Sequence, residues 1–274
     1  MRTVVADLHS HTHYSDGALS PDELVRKMHG RGIQVLAVTD HDTIDGLEEA
    51  AAAASDAGIE LIPGVELTVT VSDDVVHLLG YGFDPAHVGL RDYLQMFTEG
   101  RRQRMEQMVA ALGGVGVNIE VDDVESNAQQ SSAIGRPHLA QALVDAGYVD
   151  NVNEAFDAYI GDGDVGFVPA PGRPAEEGIR AVHEAGGFVS IAHPGQWMSS
   201  TVLRRLDRRG VDAIECRCPS HPPYLVDYYQ TRCQARSLWV TGGSDYHGTS
   251  EHHDERIGQV GLSAREWSML QNHM

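Results

Sequence analysis

Fifteen of the 274 residues are histidine, and they gather with carboxylates in short motifs spread along the chain. His9-Ser10-His11 comes first, with Asp16 shortly after it. Asp40-His41-Asp42, Glu66, His77, His193-Pro194-Gly195 and Asp245-Tyr246-His247 follow. Imidazole and carboxylate donors without thiolate suit Zn, Mn, Fe or Co. With carboxylates shared between ions, His9, His11, Asp16, His41, Glu66, His77, His193, Asp245 and His247 can hold two or three divalent metals. Packed together without metal, Asp16, Glu66 and Asp245 would repel one another and rise in pKa. Clustered divalent ions remove that conflict. They also lower the pKa of bound water from about 16 to about 7 and clamp phosphate oxygens.

A lone histidine at a strand end is ordinarily a satisfied polar residue. An H-x-H pair on a strand is different, because side chains two apart share a face. Motifs recurring at successive strand ends point to one shared centre. His13 keeps the alternation but lies beyond the strand, so it is left out. His29 lies on a helix, and His252-His253 reads as solvated surface. Cys216-Arg217-Cys218 has no matching second pair, so these cysteines read as small buried apolar residues.

The elements that must position these motifs are strands and helices in alternation. Strands are expected over Thr3 to Leu8, Val35 to Thr39, Leu61 to Val65, Val75 to Tyr81, Phe188 to Ala192, Val211 to Cys216 and Leu238 to Thr241. Ser20-Pro21-Asp22-Glu23 is a capping box with proline at the first helical position. Further helices are expected over Asp45 to Ala57, Ala175 to Ala185, Thr201 to Arg209 and Tyr224 to Arg236. This rhythm implies parallel strands with crossover helices, in a barrel or an open sheet. In a barrel the strand ends form one rim, where distant residues converge. Arg91 to Val168 carries helical patterns and no buried strand, so it reads as a small helical insertion. The expected organisation is a barrel in two parts, 1–90 and 169–274, around an insertion at 91–168.

Composition narrows the function. Hydrophobic residues at 42% and charged residues at 22% are ordinary for a globular chain. No apolar run approaches the roughly 18 residues that span a membrane, and the first residues lack a signal-peptide core. Three cysteines fit a reducing compartment. The chain is therefore expected to be cytoplasmic, with no membrane partner. A net charge of −20 disfavours long duplex nucleic acid. A small phosphorylated substrate stays compatible, because bound metal reverses the local sign.

The motifs His9-Ser10-His11, Thr39-Asp40-His41, Gly64-Val65-Glu66, His193-Pro194 and Ser244-Asp245-Tyr246-His247 resemble, in order and across the chain, the PHP (polymerase and histidinol phosphatase) phosphoesterases. The resemblance implies an α/β fold, a distorted (β/α)7 barrel with a two- or three-metal centre and a metal-bridging hydroxide as nucleophile. One metal would sit on His9, His11, Glu66 and Asp245. A second would use Glu66, His77 and His193, with Glu66 bridging. A third would use Asp16, His41 and His247.

Ile134-Gly135-Arg136-Pro137-His138-Leu139-Ala140 resembles a segment of stand-alone bacterial members with a helical insertion. These act on nucleotides, removing the 3'-phosphate of 3',5'-bisphosphonucleotides or trimming short RNA from its 5' end. The resemblance implies a nucleotide or short oligonucleotide as substrate. Arg136 offers a bidentate fork for phosphate, and His138 can donate a proton to a leaving alkoxide. His221 is a second candidate for substrate contact or general acid. Arg136 as a helix-start feature and His138 as a surface residue are the plainer alternatives. Gln196 stands where members of the subgroup often carry arginine, which weakens selection for a second phosphate unless Arg173 supplies the charge. Rival activities are a histidinol-phosphatase-like monoesterase, a cyclic phosphodiesterase and a non-catalytic metal-stabilised module. An amidohydrolase would want a bridging lysine, and Lys27 is the only lysine.

Overall fold

The computed structural model describes residues 3–128, 134–169, 172–249 and 251–274, without the side chains of 251 and 252. Its strands are β1 (Val4–Asp7), β2 (Val35–Val38), β3 (Glu60–Val71), β4 (Asp74–Tyr81), β5 (Arg173–Pro174), β6 (Phe188–Ile191), β7 (Ala213–Arg217), β8 (Trp239–Gly242) and β9 (Leu262–Ser263). The order across the sheet is β8-β7-β6-β4-β3-β2-β1-β9, with β5 beside β3. The sheet curls until the segment after β8 meets the extension of β1. The Leu8 N–H donates to the Gly242 carbonyl at 3.2 Å and the His11 N–H to that of Tyr246 at 2.8 Å. β1, β2, β3, β4, β6, β7 and β8 are thus the staves of a nearly closed, distorted barrel. β9 lies antiparallel on the outer edge of β1.

The staves are buried on both faces, as their near-continuous apolar runs require. Leu36 and Val38 pack among the helices, while Val35 and Ala37 face the barrel interior with Ile62, Leu79 and Tyr81. Gly243 is needed where the barrel closes, because a Cβ there would lie 2.3 Å from the His9 nitrogen. The helix Pro21–Gly30 begins at the anticipated capping box, with the Glu23 N–H donating to Ser20 Oγ and the Ser20 N–H to Glu23 Oε2.

One expectation is corrected. β4 is antiparallel to both β3 and β6 rather than parallel. β3 continues past Val65 to Val71 and turns directly into β4. Ser72 makes that turn at φ 62°, a left-handed conformation usually marked by glycine. The reversal puts the start of β4, and so His77, at the rim where the other staves end.

The helix Val88–Gly113 links two apolar clusters. Leu90, Tyr93, Leu94 and Phe97 belong to the main core. Met105, Met108 and Leu112 belong to a separate one with Ile119, Leu139, Leu143 and Ile160. Position 91 therefore falls inside a continuous helix. Between the two sets of apolar contacts the helix carries Arg101 and Arg104, both buried.

Candidate metal centre

The barrel rim brings His9, His11, Asp16, His41, Glu66, His77, His193, Asp245 and His247 together. Their ligand atoms fall into overlapping groups within 4.8 Å: His11, Asp16, His41 and His247; His9, Glu66 and His193; His9, His11 and Asp245; and His41, Glu66 and His77. His9, His11 and Glu66 form a sealed floor, while Asp245, His77 and His193 remain partly open. His193 and Asp245 stand at φ 25° and 51°, left-handed conformations that cost energy for such residues and recur at functional sites.

Glu66 is the hub. Its Oε1 lies 3.0 Å from His77 Nδ1 and 2.9 Å from His193 Nε2. Its Oε2 lies 3.2 Å from both His9 Nε2 and His11 Nε2 and 3.3 Å from His41 Nδ1. Each oxygen faces its own set of imidazoles, as a carboxylate shared between two cations would.

The tautomers support the same reading. His9 Nδ1 is 2.9 Å from Glu215 Oε1, and His247 Nδ1 is 3.1 Å from the Asp245 carbonyl. If each Nδ1 donates its proton there, the neutral ring aims the Nε2 lone pair at more carboxylate oxygen. Lone pair against lone pair is repulsive unless a cation lies between, or the ring protonates. Among the described residues, both nitrogens of His11, together with His41 Nδ1 and His77 Nδ1, are buried without hydrogen-bond partners. This donor set fits divalent metal.

In the metal-free protein, protons take that role. Burial pushes the His9 imidazole down, but Glu215, Glu66 and Asp245 outweigh it and hold its pKa well above the usual value. Burial pushes His11 down as well, but the nearby carboxylates of Asp245, Glu66 and Asp16 outweigh it and raise its pKa to about 10. Burial holds His41 down at about 4, against the pull of Glu66 and Asp16. Glu66 lies well below the carboxylate range despite burial, because His41, His9 and His77 surround it. Metal must displace protons from such sites.

Several supports were not recognised in sequence. Glu215 accepts from His9 Nδ1 and, at 2.7 Å, from the His193 N–H, so it aims two candidate ligands at once. Asp7, raised to about 6 by burial, accepts the Ser244 N–H across the barrel closure. Asp40 receives the Thr12 N–H, the Thr12 hydroxyl and the Ser15 hydroxyl, which shapes the loop carrying Asp16. Removing a partner behind a ligand typically costs 10–100-fold in metal affinity or activity. Glu215→Gln is therefore expected to weaken metal retention by about that factor while the fold persists. Competition with a chromophoric chelator measures this, and unchanged affinity would mean that Glu215 serves folding alone.

A cavity of about 220 Å³ opens beside the cluster, lined by Asp16, His41, His77, Arg101, Arg104 and Arg136 among others. Arg101 donates to Asp42 Oδ2, and Asp42 also receives the Thr68 N–H at 2.6 Å. Arg104 is pushed down to about 10 by burial and by the cations of Arg101 and Arg136. Arg136 lies over the rings of Phe156 and Phe167 and pairs with Asp162 at 2.6 Å. Three guanidinium groups thus line this cavity, those of Arg101 and Arg136 paired with the carboxylates of Asp42 and Asp162.

The other substrate candidates fare differently. His138 Nδ1 accepts the Gly135 N–H at 3.0 Å. Burial lowers its pKa, partly offset by Asp16 and by a hydrogen bond to the Ser15 backbone. His221, the other candidate for general acid or substrate contact, meets the backbone through both ring nitrogens. Its Nε2 accepts the Gly195 N–H at 2.9 Å, and its Nδ1 is 3.0 Å from the Cys216 carbonyl. Neither nitrogen is left for a substrate. Arg173 donates to Glu177 and lies over Tyr93, and it is not among the residues lining this cavity. His253 is half-buried near Tyr246 and His247 instead of solvated, while the side chain of His252 lies outside the described residues. Lys27 pairs with Asp254 at 2.7 Å and is not part of the cluster.

Comparison with known proteins agrees with this geometry. A family model described as the PHP domain matches residues 7–133. The chain is 36% identical over 250 residues to a 3',5'-nucleoside bisphosphate phosphatase from Chromobacterium violaceum, covering 89% of this chain and 88% of that one. It is 34% identical over 256 residues to a 5'-3' exoribonuclease from Haemophilus influenzae, covering 88% and 89%. The structure matches that of a candidate metal-dependent phosphoesterase from Bifidobacterium adolescentis with a TM-score of 0.87 and 31% identity, covering 97% and 95% of the two chains. Among the described residues no helix is long and apolar enough to cross a membrane.

Proposed function

The chain belongs to the PHP family of metal-dependent phosphoesterases, and we propose that it hydrolyses phosphate esters of nucleotides: 3',5'-bisphosphonucleotides, nucleoside monophosphates or short RNA 5' ends. On this reading it is a cytoplasmic enzyme acting on small substrates and not on long duplexes. The observation that carries the reading is a carboxylate ringed by imidazoles next to a cavity lined by three arginines. The intact set of candidate ligands opposes a non-catalytic module.

His9, His11, Glu66 and Asp245, with His77, His193, Asp16, His41 and His247 around them, would hold two or three ions of Mn, Zn or Fe. When bound, such ions activate water at neutral pH and neutralise phosphoryl charge. The protein's own groups do the rest. Arg136, Arg104 and Arg101 bind and orient the phosphoryl oxygens, replacing the water they displace. The His138 N–H hydrogen-bonds the leaving oxygen as charge develops there. Glu215 and Asp7 keep the His9 ring and the barrel closure in place.

Purified protein expressed with supplementary metal is expected to contain at least two transition-metal ions per chain. It should hydrolyse nucleotide esters in a panel that also includes cyclic phosphates and histidinol phosphate, with activity abolished by chelation. Elemental analysis below one ion per chain overturns the metal centre. A preference for histidinol phosphate or cyclic phosphates over every nucleotide overturns the substrate class.

A further inference from the structure

A second cavity, about 340 Å³, opens from the same centre and is lined by His193, Trp197, Pro219, Ser220, Asp245 and Arg256. Because His193 and Asp245 belong to the candidate metal groups, whatever fills this cavity lies next to the reacting ester. Its walls differ in kind from those of the arginine cavity. One supplies a large aromatic surface, another a single cation. The volume lies in the range of small-molecule sites, about 300–1,000 Å³.

Trp197 is 60% exposed, unusual for the largest apolar side chain on a loop next to polar chemistry. The indole is nevertheless held in place. A Cβ on Gly195 would lie 2.6 Å from Trp197 Nε1 and 2.7 Å from its Cδ1, so the indole edge rests on the bare Cα. Gly195, at φ 56°, is pinned in turn. Its N–H donates to His221 Nε2 at 2.9 Å, and its carbonyl accepts the Tyr229 hydroxyl at 2.7 Å. His221 stacks on Tyr229 with 16° between the rings. This chain of buried contacts gives His221 a positioning role and presents the Trp197 ring to solvent. Arg256 is half-buried and, among the described residues, has no carboxylate partner.

We propose that this cavity is the nucleoside subsite, where Trp197 stacks on the base of the substrate and Arg256 binds its second phosphate. The inference rests on the nucleotide reading above. Base–aromatic stacking tolerates any base, because every base has a π-face. A guanidinium binds a phosphate or phosphodiester through paired N–H donors. A bisphosphonucleotide and an RNA end both present a base and a second phosphorus group, so both fit. Arg256 then provides the charge that Gln196 lacks and that Arg173, paired with Glu177, does not provide.

The test uses metal-loaded enzyme and two measurements. Adenosine 5'-monophosphate is titrated while tryptophan fluorescence is followed, and kcat/KM is compared for adenosine 3',5'-bisphosphate and p-nitrophenyl phosphate. The nucleotide should quench wild-type fluorescence. Trp197→Leu should abolish most of the quench and raise Kd about tenfold or more. Arg256→Gln should lower the preference for the bisphosphate over p-nitrophenyl phosphate by about tenfold. Circular dichroism and metal content check that both variants are folded and loaded. If wild-type enzyme cleaves nucleotides but both variants keep its Kd and its preference, the subsite is wrong and the nucleotide reading stands. If wild-type enzyme cleaves p-nitrophenyl phosphate but neither binds nor cleaves nucleotides, both fall together.

Discussion

Glu66→Gln is expected to abolish metal retention and to slow ester hydrolysis by at least about a thousandfold, because water activation depends on the ions. The substitution preserves shape almost atom for atom, so the loss comes from chemistry. A carboxylate offers lone pairs at both ends, whereas an amide turns one end into a donor. In this site one oxygen faces His77 and His193 and the other faces His9, His11 and His41. Whichever way the amide is placed, its NH2 confronts one of the two sets and cannot bind a cation there. The negative charge is lost as well, in a buried position surrounded by imidazoles. Elemental analysis and steady-state rates together decide the matter. Near-normal turnover with full metal content would show that Glu66 is not shared between ions.

The candidate ligands were legible because polar residues at the ends of apolar runs have few structural explanations. His9-Ser10-His11 and Asp245-Tyr246-His247 stand out against the strands before them. The direction of β4 was hidden by Ser72, which makes a tight left-handed turn without the glycine that would announce it. Glu215 lies inside a buried strand, between Ile214 and Cys216, where it interrupts an apolar run. That interruption was the available signal, since an acid buried between apolar neighbours needs a partner. Arg101 and Arg104 gave no signal, because Arg101-Arg102-Gln103-Arg104 is a polar run that a solvated turn of helix would equally carry. They are buried only because this helix passes from one apolar cluster to another across the barrel rim. His221 is a case where residue type says less than its surroundings. Its residue type suggested chemistry, but both its nitrogens are occupied by the backbone.

Arg101 carries two roles that a single substitution would confuse. Its guanidinium lines the anion cavity, and it also neutralises Asp42, whose side chain is fully buried. Arg101→Met strands that carboxylate, and breaking a buried pair in this way costs about 3–5 kcal/mol of stability. Asp42→Asn relieves the problem. Asparagine can still accept the Thr68 N–H, and it tolerates the left-handed backbone seen at φ 55°. The double variant replaces an ion pair with neutral groups of similar size, so it should recover most of the lost stability. It should not recover the rate. With the guanidinium gone from the phosphate cavity, kcat/KM should remain down by about a hundredfold or more, the usual loss for one charge-stabilising donor. Thermal unfolding and steady-state kinetics on the single and double variants separate the two effects. A double variant that regained both stability and turnover would confine Arg101 to the fold and leave phosphate binding to Arg104 and Arg136.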